Sequence, residues 1–167
     1  MRNISEIKRP VTLCFVISPS MSNPAIKTTQ FLILIFFLPI LQVPAYEDAD
    51  GTCLFESNAI AYHLATEELR GGKDAVQKAL VQQWISFADT EVLPPACSWV
   101  FPVLGLMQQN KASTERARED LTRVMSVLNA HLLHSTFLVG ERVTLADIAV
   151  ACNLLLPYKY VFDKDFR

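Results

Sequence analysis

The stretch FLVGERVTLADIAVACNLLL, residues 137–156, carries the strongest local folding signal in this sequence. Thr144 is a good N-cap residue, and Asp147 lies at the third helical position, where its carboxylate can reach back to the cap amide. Asp147 also lies at the positive end of the helix dipole. The residues that follow are apolar on nearly every side. We therefore expect a central, buried helix, capped by Thr144 and Asp147 and ended by Pro157. This stretch is a folding element and does not indicate a catalytic or binding site.

The composition indicates one domain-sized chain with a sizeable apolar core. The 167 residues are 51% apolar and 19% charged, with a net charge of −2. Residues 1–42 hold four basic residues and one acidic residue, so residues 43–167 carry a net charge of −5. An acidic body of this kind disfavours direct binding of nucleic acid. The four cysteines are far apart and form no CxxC motif, which favours reduced cysteines in a cytoplasmic protein.

Residues 1–42 differ in pattern from the rest of the chain. The run FLILIFFLPIL, residues 31–41, contains a proline and is shorter than the roughly 20 apolar residues of a membrane-spanning helix. Thirty residues precede this run, too many for an ordinary secretion signal. Phe, Leu, Ile and Pro are encoded by pyrimidine-rich codons, and an intron acceptor ends in a Gln codon. We therefore interpret residues 1–42, which end at Gln42, as translated intron or an alternative first exon.

Three short strand patterns and a first helix are predicted between residues 11 and 72. Residues 11–18, VTLCFVIS, have a strand pattern, but no nearby stretch is an evident partner. Beyond Gln42, residues 43–47 and 52–56 read as two strands joined by an Asp50-Gly51 turn. Ser57 then caps a helix that runs to about Glu68 and ends near Gly71-Gly72.

Three more helical regions complete the pattern. The first begins near Asp74, is broken or kinked at Pro94-Pro95, and resumes with Pro102 as a second interruption. The second begins at Ser113 or Thr114, and its apolar residues recur at helical spacing: Ala117, Leu121, Val124, Met125, Leu128 and Leu132. The third is the helix capped at Thr144.

Several runs of this sequence resemble one protein family. They are residues 56–71, ESNAIAYHLATEELRG; 81–105, VQQWISFADTEVLPPACSWVFPVLG; 137–148, FLVGERVTLADI; and 157–167, PYKYVFDKDFR. They look like the gamma subunits of eukaryotic translation elongation factor 1, whose N-terminal region is glutathione-transferase-like. The resemblance covers residues 43–167 and implies an α+β, mostly helical, truncated glutathione-transferase-like fold. A remnant β-hairpin of a thioredoxin-like domain, residues 43–71, precedes a helical domain, residues 72–167, that is incomplete at its end.

The same resemblance implies a glutathione site. Val43-Pro44 matches the cis-proline bond whose valine pairs with the cysteinyl part of glutathione, and Glu56-Ser57 matches the pair that holds its γ-glutamyl end. Each pair also has a structural explanation, as a cis-proline turn and as a helix N-cap. Nothing in residues 1–42 matches the opening strand that supplies the thiol-activating residue. We therefore expect no catalytic residue and no cofactor, with glutathione as the one candidate ligand.

The remaining candidate residues favour structural roles. His131 and His134 lie three apart on a helix, but no carboxylate or cysteine clusters beside them, so we expect no metal site. His63 has no evident partner, and Cys53 reads as a small buried apolar side chain in a strand. No glycine-rich phosphate loop is present, so no nucleotide site is predicted.

Three functions from different classes remain. The resemblance implies a non-catalytic scaffold of the elongation factor 1 complex, cytoplasmic, that docks the nucleotide-exchange subunits. A homodimer and aminoacyl-tRNA synthetases are further implied partners, whereas nucleic acid and membranes are not. The second function is a glutathione transferase, which the missing activating residue disfavours. The third is a defective fragment, because a sheet without its first two strands leaves apolar edges uncovered. We expect the scaffold, with the Ser57 helix and the long kinked helix as its interfaces.

Overall fold

The computed structural model describes residues 12–14, 44–47 and 53–163. They belong to two compact units: the first ends at Leu64, and the second begins at Ala65. The predictions for Val43, for the Asp50-Gly51 turn and for the rest of residues 1–42 lie outside the described residues. The predicted boundaries at residues 42 and 71 stay predictions.

The N-terminal unit contains a three-stranded antiparallel sheet. Its strands are β1 (Thr12–Cys14), β2 (Ala45–Glu47) and β3 (Cys53–Phe55), in the order β1-β2-β3. Tyr46, which is buried, pairs with Leu13 on one side and Leu54 on the other. The hairpin predicted from residues 43–56 is confirmed. The strand predicted near residue 11 is present, and its partner β2 is not nearby in the sequence but lies far along the chain, which local pattern does not reveal.

Helix α1 (Ser57–Leu64) follows β3 and is shorter than predicted. Instead of continuing to Glu68, the chain leaves the helix at Leu64, and residues 66–72 form a separate turn. Thr66 begins this turn, because its hydroxyl accepts from the Leu69 N–H (3.4 Å) and its carbonyl accepts from the Arg70 N–H (3.2 Å). Threonine competes in this way with helix propagation. Gly71 and Gly72 close the turn with positive φ, as a C-terminal glycine pair should.

The second unit is helical. Its elements are α2 (Ala75–Phe87), a π-helical segment (Ala88–Val92), α3 (Leu93–Val103), α4 (Lys111–Leu132) and α5 (Leu145–Tyr160). Asp74 caps α2 by accepting from the Val76 N–H at 3.0 Å. The core of the unit includes fully buried side chains from α2, the π-helical segment, α3 and α4: Val81, Val92, Val100 and Leu121.

The helical region is interrupted near Pro94-Pro95, as predicted, but the prolines themselves lie beyond the interruption. Pro94 and Pro95 do not break a helix; they lie in the first turn of α3, where a missing N–H costs little. The interruption lies just before them, as the π-helical segment, and the Leu93 N–H binds the Ala88 carbonyl. Pro102 lies in the last turn of α3. That helix ends in a Schellman motif, with Gly105 at φ 72° and a 2.9 Å bond from the Leu106 N–H to the Phe101 carbonyl.

Two predicted helix ends are also corrected. Helix α4 begins at Lys111 rather than at Ser113 or Thr114, because Asn110 is its cap and accepts from the Ser113 N–H at 3.1 Å. Helix α5 continues through Pro157 to Tyr160. Burial of the Pro157 ring in the core, together with the 3.0 Å bond from the Val161 N–H to the Pro157 carbonyl, accounts for this continuation.

Helix α5 packs against α2, α3 and the π-helical segment, but it is not buried on all sides. Leu145, Ala146 and Val150 face the core, whereas Ile148 and Leu155 are 42% and 63% exposed. The prediction of a central helix is therefore right for one face and wrong for the other. No helix within residues 12–14, 44–47 and 53–163 combines the length and hydropathy that a membrane crossing requires.

Candidate functional site

Three of the four residues predicted to bind glutathione lie at one end of the β2–β3 pair: Pro44, Glu56 and Ser57. Ala45 and Phe55 are register partners, so Pro44 and Glu56, the next residues outward, follow at the same end of the two strands. Val43 lies outside the described residues. Pro44 is half-buried, and Glu56 and Ser57 are exposed. The sheet register therefore brings Pro44 toward the predicted Glu56-Ser57 pair.

Glu56 has an unusual backbone conformation. Its φ of 70° is in the left-handed region, and it is the one residue other than glycine with positive φ among those described. Its carbonyl accepts from the Ile60 N–H at 3.0 Å, so Glu56, rather than Ser57, occupies the cap position of α1. Ser57 is the first helical residue. A strained residue persists only where its surroundings enforce it, and such residues cluster at functional sites.

The Thr144–Asp147 box lies in a hydrogen-bond network that closes one end of the helical unit. Asp147 Oδ2 accepts from the Thr144 N–H (2.8 Å) and from the Thr144 hydroxyl (3.1 Å), and Oδ1 accepts from the Leu138 N–H (2.9 Å). Both halves of the capping box are present, and Thr144 is only 3% exposed. This network orients the chain at the entry to α5.

His131 extends the same network, a role that the sequence did not reveal. Its Nε2 lies 2.9 Å from the Leu138 carbonyl, and its ring centroid lies 4.8 Å from that of Trp84. His134, the other member of the pair, is exposed. Among the described residues, no three His, Cys, Asp or Glu side chains are grouped so as to hold a metal ion. His63 has a partner in the sheet, because its ring centroid lies 5.6 Å from that of Tyr46.

The two cysteines of the helical unit differ in environment. Burial raises the pKa of the Cys97 thiol, which keeps it protonated and poorly nucleophilic near neutral pH. Cys152 is exposed on α5. Nothing is described of the Cys53 side chain, so its predicted burial stays a prediction.

An open groove of about 340 Å³ separates the α2–α3 junction from α4. Its apolar wall contains Phe87 and the two prolines of the junction on one side, and Val124 and Val127 of α4 on the other. Its polar rim holds Thr90, Glu91, Asp120 and Arg123. Sequence analysis missed this groove. The one sequence feature at this place, Pro94-Pro95, indicates a helix interruption but does not predict a groove.

Comparison with known proteins agrees with this architecture. Residues 22–66 match the glutathione S-transferase N-terminal domain, and residues 92–167 match the glutathione S-transferase C-terminal domain. Elongation factor 1-gamma of Artemia salina is 57% identical over 129 residues, which are 77% of this chain and 30% of that protein. This chain is a relative of elongation factor 1-gamma. The Danio rerio protein gives the same 57% identity over 129 residues, and Xenopus laevis elongation factor 1-gamma-B gives 51% over 141 residues.

Solved structures support the fold. A glutathione S-transferase from Pseudomonas fluorescens superposes with a TM-score of 0.71 at 27% identity, over 82% of this chain and 69% of that one. The glutathione S-transferase-like domain of elongation factor 1-gamma from Saccharomyces cerevisiae superposes with a TM-score of 0.66 at 22% identity, over 82% and 67%. The predicted glutathione-transferase-like fold and the predicted resemblance to elongation factor 1-gamma are both confirmed.

The extent of the match bears on function. This relative of elongation factor 1-gamma spans about 30% of the length of the curated relatives that it matches. The match to the N-terminal domain begins at residue 22, ahead of Gln42, whereas the match to the C-terminal domain contains α3, α4 and α5 entirely. The shared part therefore includes the cap network and one full wall of the groove.

Proposed function

We propose that this chain is a non-catalytic docking subunit of a translation elongation factor complex in the cytoplasm. The observation that carries the proposal is the 57% identity with elongation factor 1-gamma over 77% of the chain. The proposed partners are the nucleotide-exchange subunits of elongation factor 1. A second copy of the chain and aminoacyl-tRNA synthetases are additional proposed partners.

The helical unit offers surfaces suited to docking. Large apolar side chains stay exposed at the end of α3, where Leu106 and Met107 are 67% and 55% exposed. A second apolar surface follows the outer face of α5, where Leu155 is 63% exposed. Large apolar side chains that are exposed close together are typical of protein–protein contacts.

A pull-down of purified exchange subunits by the immobilised chain tests the proposal. In a parallel experiment, the chain is passed over glutathione resin to test whether it binds glutathione. We expect capture of an exchange subunit at micromolar concentration. Leu106→Asp and Leu155→Asp should weaken capture if either surface is used, because a charge would be buried at the contact. Glu119→Gln, an exposed change on α4, is the matched control. A chain that is folded by circular dichroism but captures no exchange subunit would contradict the docking proposal and favour a fragment without independent activity.

Glutathione binding is a second candidate function, and the strained Glu56 favours it. Here Pro44, Glu56 and Ser57 would hold the tripeptide, with its γ-glutamyl carboxylate beside Ser57. Isothermal titration with glutathione tests this candidate, using Ser57→Ala to remove the hydroxyl and Glu56→Gly to relax the backbone at φ 70°. Binding that both variants abolish would support a glutathione site. If Glu56→Gly stabilises the fold and leaves the heat of glutathione binding unchanged, the conformation at φ 70° serves only to cap α1.

A further inference from the structure

The groove between the α2–α3 junction and α4 has a rim rich in hydrogen-bond acceptors. In a helix, the Thr90 carbonyl would accept from the N–H three, four or five residues ahead. The Leu93 N–H binds the Ala88 carbonyl instead, and Pro94 and Pro95 have no N–H. The Thr90 carbonyl is therefore left without a main-chain donor from its own helix, in a residue that lines the groove.

Side chains add more acceptors to the same rim. The Thr90 hydroxyl donates to the Ser86 carbonyl at 3.0 Å, which leaves its lone pairs as acceptors. Glu91 is exposed and makes no ion pair with any described residue. Asp120 faces it from α4, paired at 2.7 Å with Arg123, whose side chain is 75% exposed. Two carboxylates and one guanidinium give the rim a net negative charge.

The apolar part of the groove has room for one side chain. Val124 is nearly buried and forms part of the wall, whereas Val127 is 49% exposed and remains available for contact. Phe87 is held by an edge-on contact with Trp84, with ring centroids 5.2 Å apart. The cleft therefore has a fixed apolar wall beneath an acceptor-rich, acidic rim.

We infer that this groove binds a short segment of a partner protein in which an apolar side chain stands next to arginine or lysine. The apolar side chain contacts Val127, Val124 and Phe87. The cationic side chain donates to Glu91 and to the orphan Thr90 carbonyl, acceptors that an acidic or purely apolar segment would leave unsatisfied. The inference depends on the chemistry of the groove and holds whether or not the partner is a translation factor.

Fluorescence anisotropy of the full chain with three labelled peptides tests this inference. The probe is Gly-Arg-Leu-Lys-Gly, the charge control is Gly-Glu-Leu-Glu-Gly, and the anchor control is Gly-Arg-Gly-Lys-Gly, each with blocked ends. We expect the probe to bind and both controls to bind at least about fivefold more weakly, as the loss of about 1 kcal/mol implies. Equal binding of the acidic control would overturn the inference.

Variants of the chain locate the binding. Val127→Arg fills the groove and cancels the net negative charge of its rim, so it should abolish probe binding, and its exposed position spares the core. Glu91→Gln should weaken probe binding about fivefold, because it removes a rim carboxylate that pairs with no cation among the residues the structure describes. Glu119→Gln removes the same charge from α4 outside the groove and should leave binding unchanged. Equal weakening by Glu91→Gln and Glu119→Gln would show only nonspecific charge attraction, and the inference would fail.

Sedimentation of the full chain and of Val127→Arg separates a partner from a second copy. We expect the same mass for both proteins. If the wild-type chain is a dimer and Val127→Arg is a monomer, the groove is a self-association surface. That result would overturn the inference that it binds a segment of a different protein.

Discussion

The entry to α5 and the α2–α3 junction both leave main-chain polar groups without helical partners, and they differ in how those groups are satisfied. At α5, the Asp147 carboxylate accepts from the Thr144 and Leu138 N–H groups, so the helix entry is closed by the chain itself. At the junction, Pro94 and Pro95 supply no donor, and the Thr90 carbonyl stays open beside a groove. The first arrangement stabilises the fold, and the second leaves the acceptor on which the inferred peptide binding depends.

The two regions should therefore respond differently to mutation. Changes at the α5 entry should lower the free energy of unfolding, because they leave partly buried donors unsatisfied. Changes at the junction should alter peptide binding with little effect on stability.

Asp147→Ala should cost the most. The carboxylate accepts three hydrogen bonds, two of them from main-chain N–H groups, so we expect a loss of about 3 kcal/mol in the free energy of unfolding. Asp147→Asn retains one acceptor oxygen and should lose about half as much. Urea titration followed by circular dichroism measures both. A loss from Asp147→Ala no larger than that from Asp120→Ala on the exposed groove rim would contradict a structural role for the network.

His131→Ala should come second. The substitution removes the contact with the Leu138 carbonyl and the packing on Trp84, and we expect a loss of about 2 kcal/mol, reduced slightly by the better helix propensity of alanine. Urea titration measures the loss, and the fluorescence of Trp84 should change with it. His134→Ala, an exposed change beyond the end of α4, is the control and should be neutral. Equal effects of the two histidine variants would place His131 outside the network.

Thr144→Ala should have a smaller effect than either. The Asp147 carboxylate still accepts from the main-chain N–H of residue 144, so only the hydroxyl is lost, and a cap substitution of this kind costs about 1 kcal/mol. Thermal unfolding measures the change. Thr122→Ala is the matched control, because the Thr122 hydroxyl bonds only back to the Arg118 carbonyl in the middle of α4. If Thr144→Ala leaves stability unchanged while Asp147→Ala lowers it, the stabilising bonds of the network are those from main-chain N–H groups alone.

Pro94→Ala should have the smallest effect on stability, within about 0.5 kcal/mol, because proline at the start of a helix is replaced by a good helix former. The new N–H can bond to the Thr90 carbonyl, so binding of the Arg-Leu-Lys probe should fall about threefold, as the loss of one hydrogen bond implies. Anisotropy measures the binding. Pro102→Ala, in the last turn of the same helix, should leave it unchanged. Stronger binding by Pro94→Ala would show that the open carbonyl is not used.

Much of the architecture could be predicted because its signals are local. The Thr144 box, the Asp74 helix start and the β2–β3 hairpin each depend on residues within a few positions of one another. Helix ends were less predictable, because Thr66 and Asn110 compete with residues that are equally good candidates on propensity alone. The candidate glutathione residues came from a resemblance, and only the sheet register shows that Pro44 and Glu56 share one end of the strands.

The sequence by itself determined the helix caps, the hairpin, the order of the elements and the glutathione-transferase-like fold, because each follows from side-chain chemistry at short spacing and from matched runs of residues. Only the tertiary structure decided which face of α5 is exposed, that β1 pairs with β2, that His131 joins the cap network, and that Pro94 and Pro95 line a groove in the first turn of α3. These features depend on which distant surfaces meet, and the periodicity of one segment contains no information about its partner.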